Sequence, residues 1–386
     1  MYCIVNKEQI IDGLQKAAGI IPARTGAAYL RSLWLKAENG VLTLMSTDAS
    51  IEFIGAYDVD MRTEGLAGVN GRSFVELLRK LPQGELQMKL DPGMSTLLLE
   101  QGKRTYKLPV SDETWFQPLS AFPVNGAVIW SGDFLQELID RVFFCISDDE
   151  GADGIACLCL KPRQDRLIDV CGLNNHQFAV VTFTHDELHS CLPPEGLLVQ
   201  KKYVGELRKW LGTDEIELNI KEKRLFLRSC DGRETISLPR SGYEYPDYLA
   251  FLARLSGENG QVSKLTLNRR ECQAALDRLA IFNTDNDRCT YFDLHESEAV
   301  LSAQGQDTGS ATESLEVIYN GSIERIAFPT RNMMEILTHF QSEQLELTLT
   351  GAEGPCGING RDDADYTVLI MPMKIVDQQY YETEEN

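Results

Sequence analysis

Residues 69–78 read Val-Asn-Gly-Arg-Ser-Phe-Val-Glu-Leu-Leu, and this ten-residue pattern returns twice further along the chain. The second copy, residues 199–208, reads Val-Gln-Lys-Lys-Tyr-Val-Gly-Glu-Leu-Arg, and the third, residues 328–337, reads Phe-Pro-Thr-Arg-Asn-Met-Met-Glu-Ile-Leu. The copies align without gaps and share a basic residue at the fourth position (Arg72, Lys202, Arg331) and a glutamate at the eighth (Glu76, Glu206, Glu335). The basic residues lie 130 and 129 residues apart. Such even spacing predicts three homologous domains.

The surroundings of each copy repeat as well. An alternating, strand-like stretch follows each copy and ends in an apolar residue followed by Pro109, Pro239 or Pro372. Some 60–70 residues before each copy, apolar residues recur at the spacing of a helix that buries one face. Between the helices the period changes to two, and Asn39 followed by Gly40 indicates a hairpin turn. Each repeat therefore predicts an α+β domain with two helices packed on antiparallel sheet.

The composition is typical of a globular protein with several domains. The chain has 386 residues, of which 43% are hydrophobic and 25% charged. Its net charge of −21 argues against a protein that coats nucleic acid with its whole surface, but leaves room for a local basic surface. The ten cysteines include no Cys-x-x-Cys pair, the N-terminus does not resemble a signal peptide, and no apolar run approaches the ~18–20 residues of a membrane span. We therefore predict a cytoplasmic protein with reduced thiols.

The six predicted helices are electropositive although the chain is acidic. They carry 14 Lys or Arg and 10 Asp or Glu, whereas the rest of the chain has a net charge of −25. One explanation is that lysine and arginine are good helix formers on solvated faces. The other is a wall of cations that faces phosphates, which the basic position shared by all three repeats favours. The helices span residues 6–21, 70–82, 131–147, 200–212, 268–282 and 329–341.

The sequence contains no recognisable catalytic, nucleotide-binding or metal-binding motif. A P-loop, a G-x-G-x-x-G after a strand, a G-x-S-x-G and an H-E-x-x-H are all absent. We therefore predict no catalytic residue, no metal and no cofactor. The alternative that stays open is a cytoplasmic β-rich hydrolase with an unrecognised Cys/His site, for which His176 is the candidate histidine.

Three segments resemble the bacterial sliding clamp family, the β subunit of DNA polymerase III. They are Asn-Gly-Arg-Ser-Phe at residues 70–74, Tyr-Pro-Asp-Tyr at 245–248 and Met-Pro-Met-Lys-Ile at 371–375, and the resemblance covers residues 1 to about 375. It implies three DNA-clamp domains at residues 1–125, 126–255 and 256–376. It also implies that two chains join head to tail into a ring whose twelve helices enclose duplex DNA. Such a ring performs no chemistry.

The resemblance also implies which residues contact DNA and which close the ring. DNA contacts are expected, independent of base sequence, from Arg24, Arg72, Arg79, Lys201, Lys202 and Lys209, and the repeat adds Arg331. One side of the head-to-tail interface matches Tyr106 and Leu108, and the other matches Ile281 and Phe282. Without the resemblance, these four residues are equally consistent with an ordinary core.

A pocket for partner peptides is implied between the second and third domains. Its partners are the replicative DNA polymerase, the clamp loader and other proteins with clamp-binding peptides; no membrane is involved. Its residues are Ile155, His176, Phe178, Pro246, Phe251, Leu369, Ile370, Met371, Pro372 and Met373. The usual Thr-Asp-Gly-His-Arg-Leu run of the family is Leu-Asn-Asn-His-Gln-Phe at residues 173–178, which keeps only the histidine. This departure predicts an altered peptide preference.

The chain continues past the usual end of the family as an acidic tail, residues 377–386. A solvated terminus is the simplest expectation for this composition. However, Gln-Gln-Tyr-Tyr at residues 378–381 resembles the glutamine-plus-aromatic peptides that partners insert into the pocket. We therefore also consider that the tail competes for the pocket of its own or a neighbouring chain.

Overall fold

The computed structural model describes residues 1–22, 27–93, 95–255, 262–283, 288–305 and 307–375. It divides into two compact units: unit 1 is Met1–Ile139 with His185–Tyr243, and unit 2 is Asp140–Thr184 with Glu244–Asn386. Each unit contains part of the second sequence repeat, so the division into three domains stays a prediction from the repeat. Arg24 and the acidic tail lie outside the described residues.

Eight α-helices lie within the described ranges. They are α1 (Lys7–Ile20), α2 (Gly71–Lys80), α3 (Gly132–Phe143), α4 (Asp186–Cys191), α5 (Lys201–Trp210), α6 (Leu249–Leu255), α7 (Arg269–Leu279) and α8 (Thr330–Thr338). All six predicted helices are present, whereas α4 and α6, with six and seven residues, are too short to give a periodic signal. Among the described residues, no helix combines the length and apolar character needed to cross a membrane.

The strands of the described ranges are short and numerous. They are β1 (Tyr2–Asn6), β2 (Ser32–Glu38), β3 (Val41–Thr47), β4 (Glu52–Asp58), β5 (Asp60–Thr63), β6 (Gly65–Asn70), β7 (Glu85–Leu90), β8 (Thr96–Gln101), β9 (Arg104–Ser111), β10 (Val128–Ser131), β11 (Cys157–Pro162), β12 (Leu167–Leu173), β13 (Gln177–Thr184), β14 (Leu197–Gln200), β15 (Glu215–Ile220), β16 (Arg224–Ser229), β17 (Glu234–Pro239), β18 (Ser263–Asn268), β19 (Cys289–Leu294), β20 (Glu298–Gly305), β21 (Gly309–Asn320), β22 (Arg325–Pro329), β23 (Gln344–Leu349), β24 (Cys356–Gly360) and β25 (Asp363–Ile370).

Unit 1 is built on a sheet of thirteen antiparallel strands. Their order is β10-β15-β16-β17-β4-β3-β2-β6-β9-β8-β7-β1-β5. The predicted hairpin is confirmed: β2 pairs with β3 across Asn39 and Gly40, whose φ angles of 52° and 78° are those of a type I′ turn. On this sheet α1 buries Ile10 and Leu14 completely. The helix approaches so closely at Gly13 that a Cβ atom there would lie 1.8 Å from the Tyr57 hydroxyl oxygen.

Unit 2 contains eleven antiparallel strands in the order β11-β12-β13-β25-β24-β23-β18-β21-β20-β19-β22. The pairing of β13 with β25 joins strands that are almost 190 residues apart in the chain, with Phe178 opposite Leu369. This pairing brings the end of the third repeat beside the second. Helix α7 is capped by Asn268, whose side chain accepts hydrogen bonds from the backbone N–H groups of Arg270 and Glu271.

Helix α3 ends earlier than the apolar pattern predicts. The pattern continues to Ile146, but the helix ends at Phe143 and a tighter turn follows. The backbone N–H of Ser147 donates to the carbonyl oxygens of Ile155 and Leu173. Since this amide is bonded to two other segments of unit 2, it does not continue the helix.

Candidate functional site

Cations lie on α2, α5 and α8, the helices of the repeated segment. The predicted residues there are Arg72, Arg79, Lys201, Lys202, Lys209 and Arg331, all exposed except the half-buried Lys201. The ammonium group of Lys209 lies 2.7 Å from Glu206 Oε1 on the same helix. An exposed pair of this kind is worth ~0–1 kcal/mol, so the lysine can exchange the carboxylate for another anion. Long, exposed cations suit electrostatic contact with phosphates.

Arg72 also completes the end of α1. Its Nε and one terminal nitrogen donate hydrogen bonds of 3.1 and 2.8 Å to the carbonyl oxygen of Ile21, the C-cap residue of that helix. A cation at this position satisfies a free carbonyl and interacts favourably with the helix dipole. Arg72 thus has a structural role that the repeat alone does not indicate.

A charged cleft of about 390 Å³ between α1 and α5 is a feature that the sequence does not indicate. The Lys16 ammonium group lies 2.6 Å from Glu234 Oε2, and the other oxygen of Glu234 accepts a 2.8 Å hydrogen bond from the Tyr57 hydroxyl. Burial, together with the Glu234 charge, raises the pKa of Tyr57, so the hydroxyl remains a donor. Because Lys16 and Glu234 are 218 residues apart, no local sequence motif predicts this ion pair. The positive charge of Lys16 on α1 is therefore neutralised within unit 1.

The predicted interface residues of unit 1 lie on an open sheet edge. Tyr106 and Leu108 are half-buried on β9. Residues 104–109 pair with β8, whereas only Val110 and Ser111 pair with β6. In the described part of the chain, no strand covers the other edge of residues 104–109. An open edge of this kind is a template for pairing with another chain.

The predicted interface residues of unit 2 lie on a short 3₁₀ helix, Ala280–Phe282, that follows α7. Ile281 is 69% exposed and Phe282 is half-buried. Nearby in the same unit, β21 pairs with β20 over residues 309–316 and with β18 only over residues 317–320. Its first half therefore also has an edge that no strand covers within the described ranges. No pattern in the sequence indicates this second open edge.

The predicted pocket residues come together in unit 2. The backbone N–H of Met371 donates a 2.9 Å hydrogen bond to the carbonyl oxygen of His176. Phe178 is paired with Leu369 across β13 and β25, and its ring stacks on that of Tyr248 with centroids 5.3 Å apart. Pro246 and Phe251 belong to the segment that contains Tyr248. Three distant parts of the chain therefore converge.

Burial divides these residues into a floor and a rim. Phe178, Leu369 and Ile370 are at most 5% exposed and would form the floor of the predicted pocket, and Ile370 has no exposed surface. The most exposed rim residues are His176, Phe251, Met371 and Met373, while Ile155, Pro246 and Pro372 are half-buried. Methionine and aromatic side chains in the rim can repack around different apolar groups.

The chemistry of a Cys/His hydrolase finds no support in the described residues. Cys159 and Cys171 are completely buried, and burial raises the pKa of Cys159 to about 12. Such thiols are poor nucleophiles. Only Cys191 and Cys230 are exposed. Within the described ranges, no group of three or more His, Cys, Asp or Glu side chains is arranged to hold a metal ion.

Comparisons with known proteins point to one family over almost all of the chain. Residues 1–119 match the model of the DNA polymerase III beta subunit N-terminal domain, and residues 259–374 match that of the C-terminal domain. The beta sliding clamps of Caulobacter vibrioides and Proteus mirabilis are 20% and 23% identical to this chain, covering 97% of it and all of their own length.

Solved structures of this family have the same fold as this chain. The DNA polymerase III subunit beta from Pseudomonas aeruginosa superposes with a TM-score of 0.87 at 20% identity. A sliding clamp from Bartonella birtlesii, solved bound to griselimycin, gives 0.88 at 22% identity. Both alignments cover 97% of this chain and the whole of the other. The chain therefore belongs to the DNA polymerase III beta subunit family, the family of the beta sliding clamps.

Proposed function

We propose that this protein is a DNA sliding clamp, a non-catalytic cytoplasmic subunit that encircles duplex DNA and tethers a DNA polymerase to its template. The observation that carries this function is the match of both chain ends to the beta-subunit domains, with relatives named beta sliding clamp covered over their full length. The predicted three-domain chain of 1–125, 126–255 and 256–376 suits a ring of two copies.

The exposed cations of the repeated helices support contact with DNA. Lysine and arginine that meet phosphates release counterions, so binding is salt-dependent and blind to base sequence. Arg72, Arg79, Lys201, Lys202, Lys209 and Arg331 are the residues we assign to this contact. The acidic remainder of the chain repels DNA from other surfaces. Contacts of this kind hold the duplex without fixing the protein at one site.

Ring closure is assigned to the open edge of β9 and to the 3₁₀ helix of a second copy. Tyr106 and Leu108 on one chain would bury against Ile281 and Phe282 of the other. The 69% exposure of Ile281 supports this assignment, because an isoleucine so exposed gains from burial.

The pocket of unit 2 is assigned to peptides from partners such as the polymerase and the clamp loader. Its exposed methionine and phenylalanine side chains support a groove for apolar peptide residues. A phenylalanine at position 178 and a glutamine at 177, in place of the usual leucine and arginine, support an altered peptide preference.

The decisive experiment compares retention on circular and linear DNA. The clamp, loaded onto nicked circular plasmid with its clamp loader, should stay bound during gel filtration and leave once a restriction enzyme linearises the plasmid. Light scattering should give a mass of ~87 kDa, twice the 43.3 kDa of one chain. A protein that stays monomeric at micromolar concentration and is not retained on circles is not a clamp.

A further inference from the structure

We propose that Tyr248 and Asp169 position the wall of the partner-peptide pocket, an inference that rests on the proposed function. Asp169 lies on β12 and has no exposed surface. Its carboxylate accepts hydrogen bonds from the Tyr248 hydroxyl at 2.7 Å, from the Thr182 hydroxyl at 2.8 Å and from Arg163 Nη1 at 3.3 Å. A buried carboxylate needs such partners, so the Tyr248 hydroxyl has a fixed position.

Tyr248 connects this buried anchor with both sides of the pocket. Its ring stacks on Phe178 of the floor, with centroids 5.3 Å apart and planes inclined by 28°. Its carbonyl oxygen accepts hydrogen bonds from the backbone N–H groups of Phe251 and Leu252, 3.0 and 3.1 Å long, which begin α6. One residue thus joins β12, the pocket floor and the helix that carries Phe251 of the rim.

Helix α6 depends on such attachment because it cannot stabilise itself. It has seven residues, none of them buried, and a helix this short is unstable in water without tertiary contacts. Its C-terminal end packs through Leu255, whose side chain lies 2.5 Å from where a Cβ on Gly357 would be. Its N-terminal end is held by Tyr248. Releasing the Tyr248 hydroxyl should loosen the N-terminal end, where Leu249 and Phe251 are 39% and 38% exposed.

The test uses Tyr248→Phe, which removes only the hydroxyl, and Thr182→Val as the matched control. Thr182→Val also removes one donor from Asp169, but it leaves the Tyr248 bond intact. Griselimycin, found bound to two structural relatives, is the probe for isothermal titration calorimetry on the full-length protein. We expect Tyr248→Phe to weaken its binding about tenfold and Thr182→Val to weaken it less than twofold. If both variants weaken griselimycin binding equally, Asp169 stabilises the unit in general and does not act through Tyr248. That result would overturn the proposal.

Amide hydrogen exchange tests the same positioning without any ligand. In Tyr248→Phe, amides of residues 249–255 should exchange at least tenfold faster than in the unmodified protein, whereas Thr182→Val should leave them unchanged. Unchanged exchange in Tyr248→Phe contradicts the proposal even where griselimycin does not bind this chain. If the unmodified protein does not stay on circular DNA, the clamp function is refuted. Because this outcome is measured separately from amide exchange, failure of the clamp function can be distinguished from failure of the Tyr248 proposal.

Discussion

At the residue scale, Arg72 and Arg331 occupy the same position of the repeated segment but have different surroundings. Arg72 donates two hydrogen bonds to the Ile21 carbonyl oxygen at the end of α1. Arg331 is exposed at the start of α8, and among the described residues no hydrogen bond or ion pair holds it. Equivalent positions of the repeat can therefore differ in their role in the fold.

This difference predicts unequal effects on stability. Arg72→Ala should lower the free energy of unfolding by about 1 kcal/mol, because a carbonyl at a helix end loses a charged donor. Arg331→Ala should change it by less than about 0.5 kcal/mol, as is usual for an exposed side chain. Urea denaturation monitored by circular dichroism measures both values, and Arg331→Ala serves as the matched control. Equal free energies of unfolding for the two variants would show that the hydrogen bonds from Arg72 to Ile21 do not contribute to stability.

Asn6 and Asn268 each precede a predicted helix and have Gln9 or Glu271 three residues further on, a spacing that predicts an N-cap in a capping box. Asn268 caps α7 as its Asn-x-x-Glu spacing predicts. Asn6 precedes α1 with a similar pattern, yet its side chain makes no cap. The backbone N–H of Lys7 donates to the Gly84 carbonyl oxygen, and Glu8 accepts from the Gly84 N–H. A partner nearly 80 residues away thus replaces the local cap, and such a partner leaves no local signal.

At the scale of elements, the repeated helices carry the cations that we propose contact DNA phosphates. Replacing Arg72, Lys202 and Arg331 together by Ala should lower the slope of log K against log salt concentration by up to ~2.7, because each phosphate contact contributes ~0.9. Fluorescence anisotropy with a labelled duplex at several salt concentrations gives this slope.

A control variant separates this effect from a general change of charge. Lys89, Lys103 and Lys223 are exposed and lie outside the helices. Replacing these three by Ala removes the same charge, but it should leave the slope nearly unchanged. The same slope for both triple variants would mean that the helix cations are merely solvated.

We assign ring closure to the open edge of β9 and to the 3₁₀ helix that contains Phe282. Tyr106→Ala or Phe282→Asp should give monomers, because the first removes apolar contact area and the second leaves a charge unpaired in an apolar interface. Sedimentation velocity at micromolar concentration distinguishes monomer from dimer. Val124→Asp places a charge on another highly exposed apolar residue, 67% exposed, and should leave the dimer intact. Dimers in both interface variants would contradict this assignment.

The helices and the first hairpin were predictable because the sequence patterns that indicate them lie within a few neighbouring residues. Helical periodicity located six helices, and the Asn39–Gly40 turn fixed one hairpin. The assignment of the pocket residues came from the family resemblance, not from periodicity. The Tyr248–Asp169 bond spans 79 residues and the pairing of β13 with β25 spans almost 190, so neither follows from a local pattern.

At the scale of the whole molecule, the charge is distributed unevenly along the chain. The net charge is −21, yet the predicted helices are net positive. A clamp needs both properties, since it must admit DNA to one surface and keep it from the others. The acidic tail, residues 377–386, adds four carboxylates and no cation to this balance. It directly follows the segment that contains Met371 and Met373 of the proposed pocket.

The tail's position predicts competition with partner peptides. A short tether gives an effective concentration of order millimolar, so even a weak affinity of the Gln-Gln-Tyr-Tyr segment would occupy part of the pockets. Ending the chain after Val376 should therefore tighten the binding of a labelled polymerase-derived peptide several-fold, measured by fluorescence anisotropy.

The acidic charge of the tail could produce the same change by repelling an acidic peptide, and a second variant separates the two causes. Replacing Tyr380 and Tyr381 by Ser keeps the length and the four carboxylates but removes the aromatic groups that a groove of Met371, Met373 and Phe251 would receive. If the tail occupies the pocket, this variant should bind the labelled peptide as tightly as the truncated chain does. If it binds like the full-length chain while truncation tightens binding, the effect is electrostatic. Identical affinities for all three proteins would leave the tail as solvated chain.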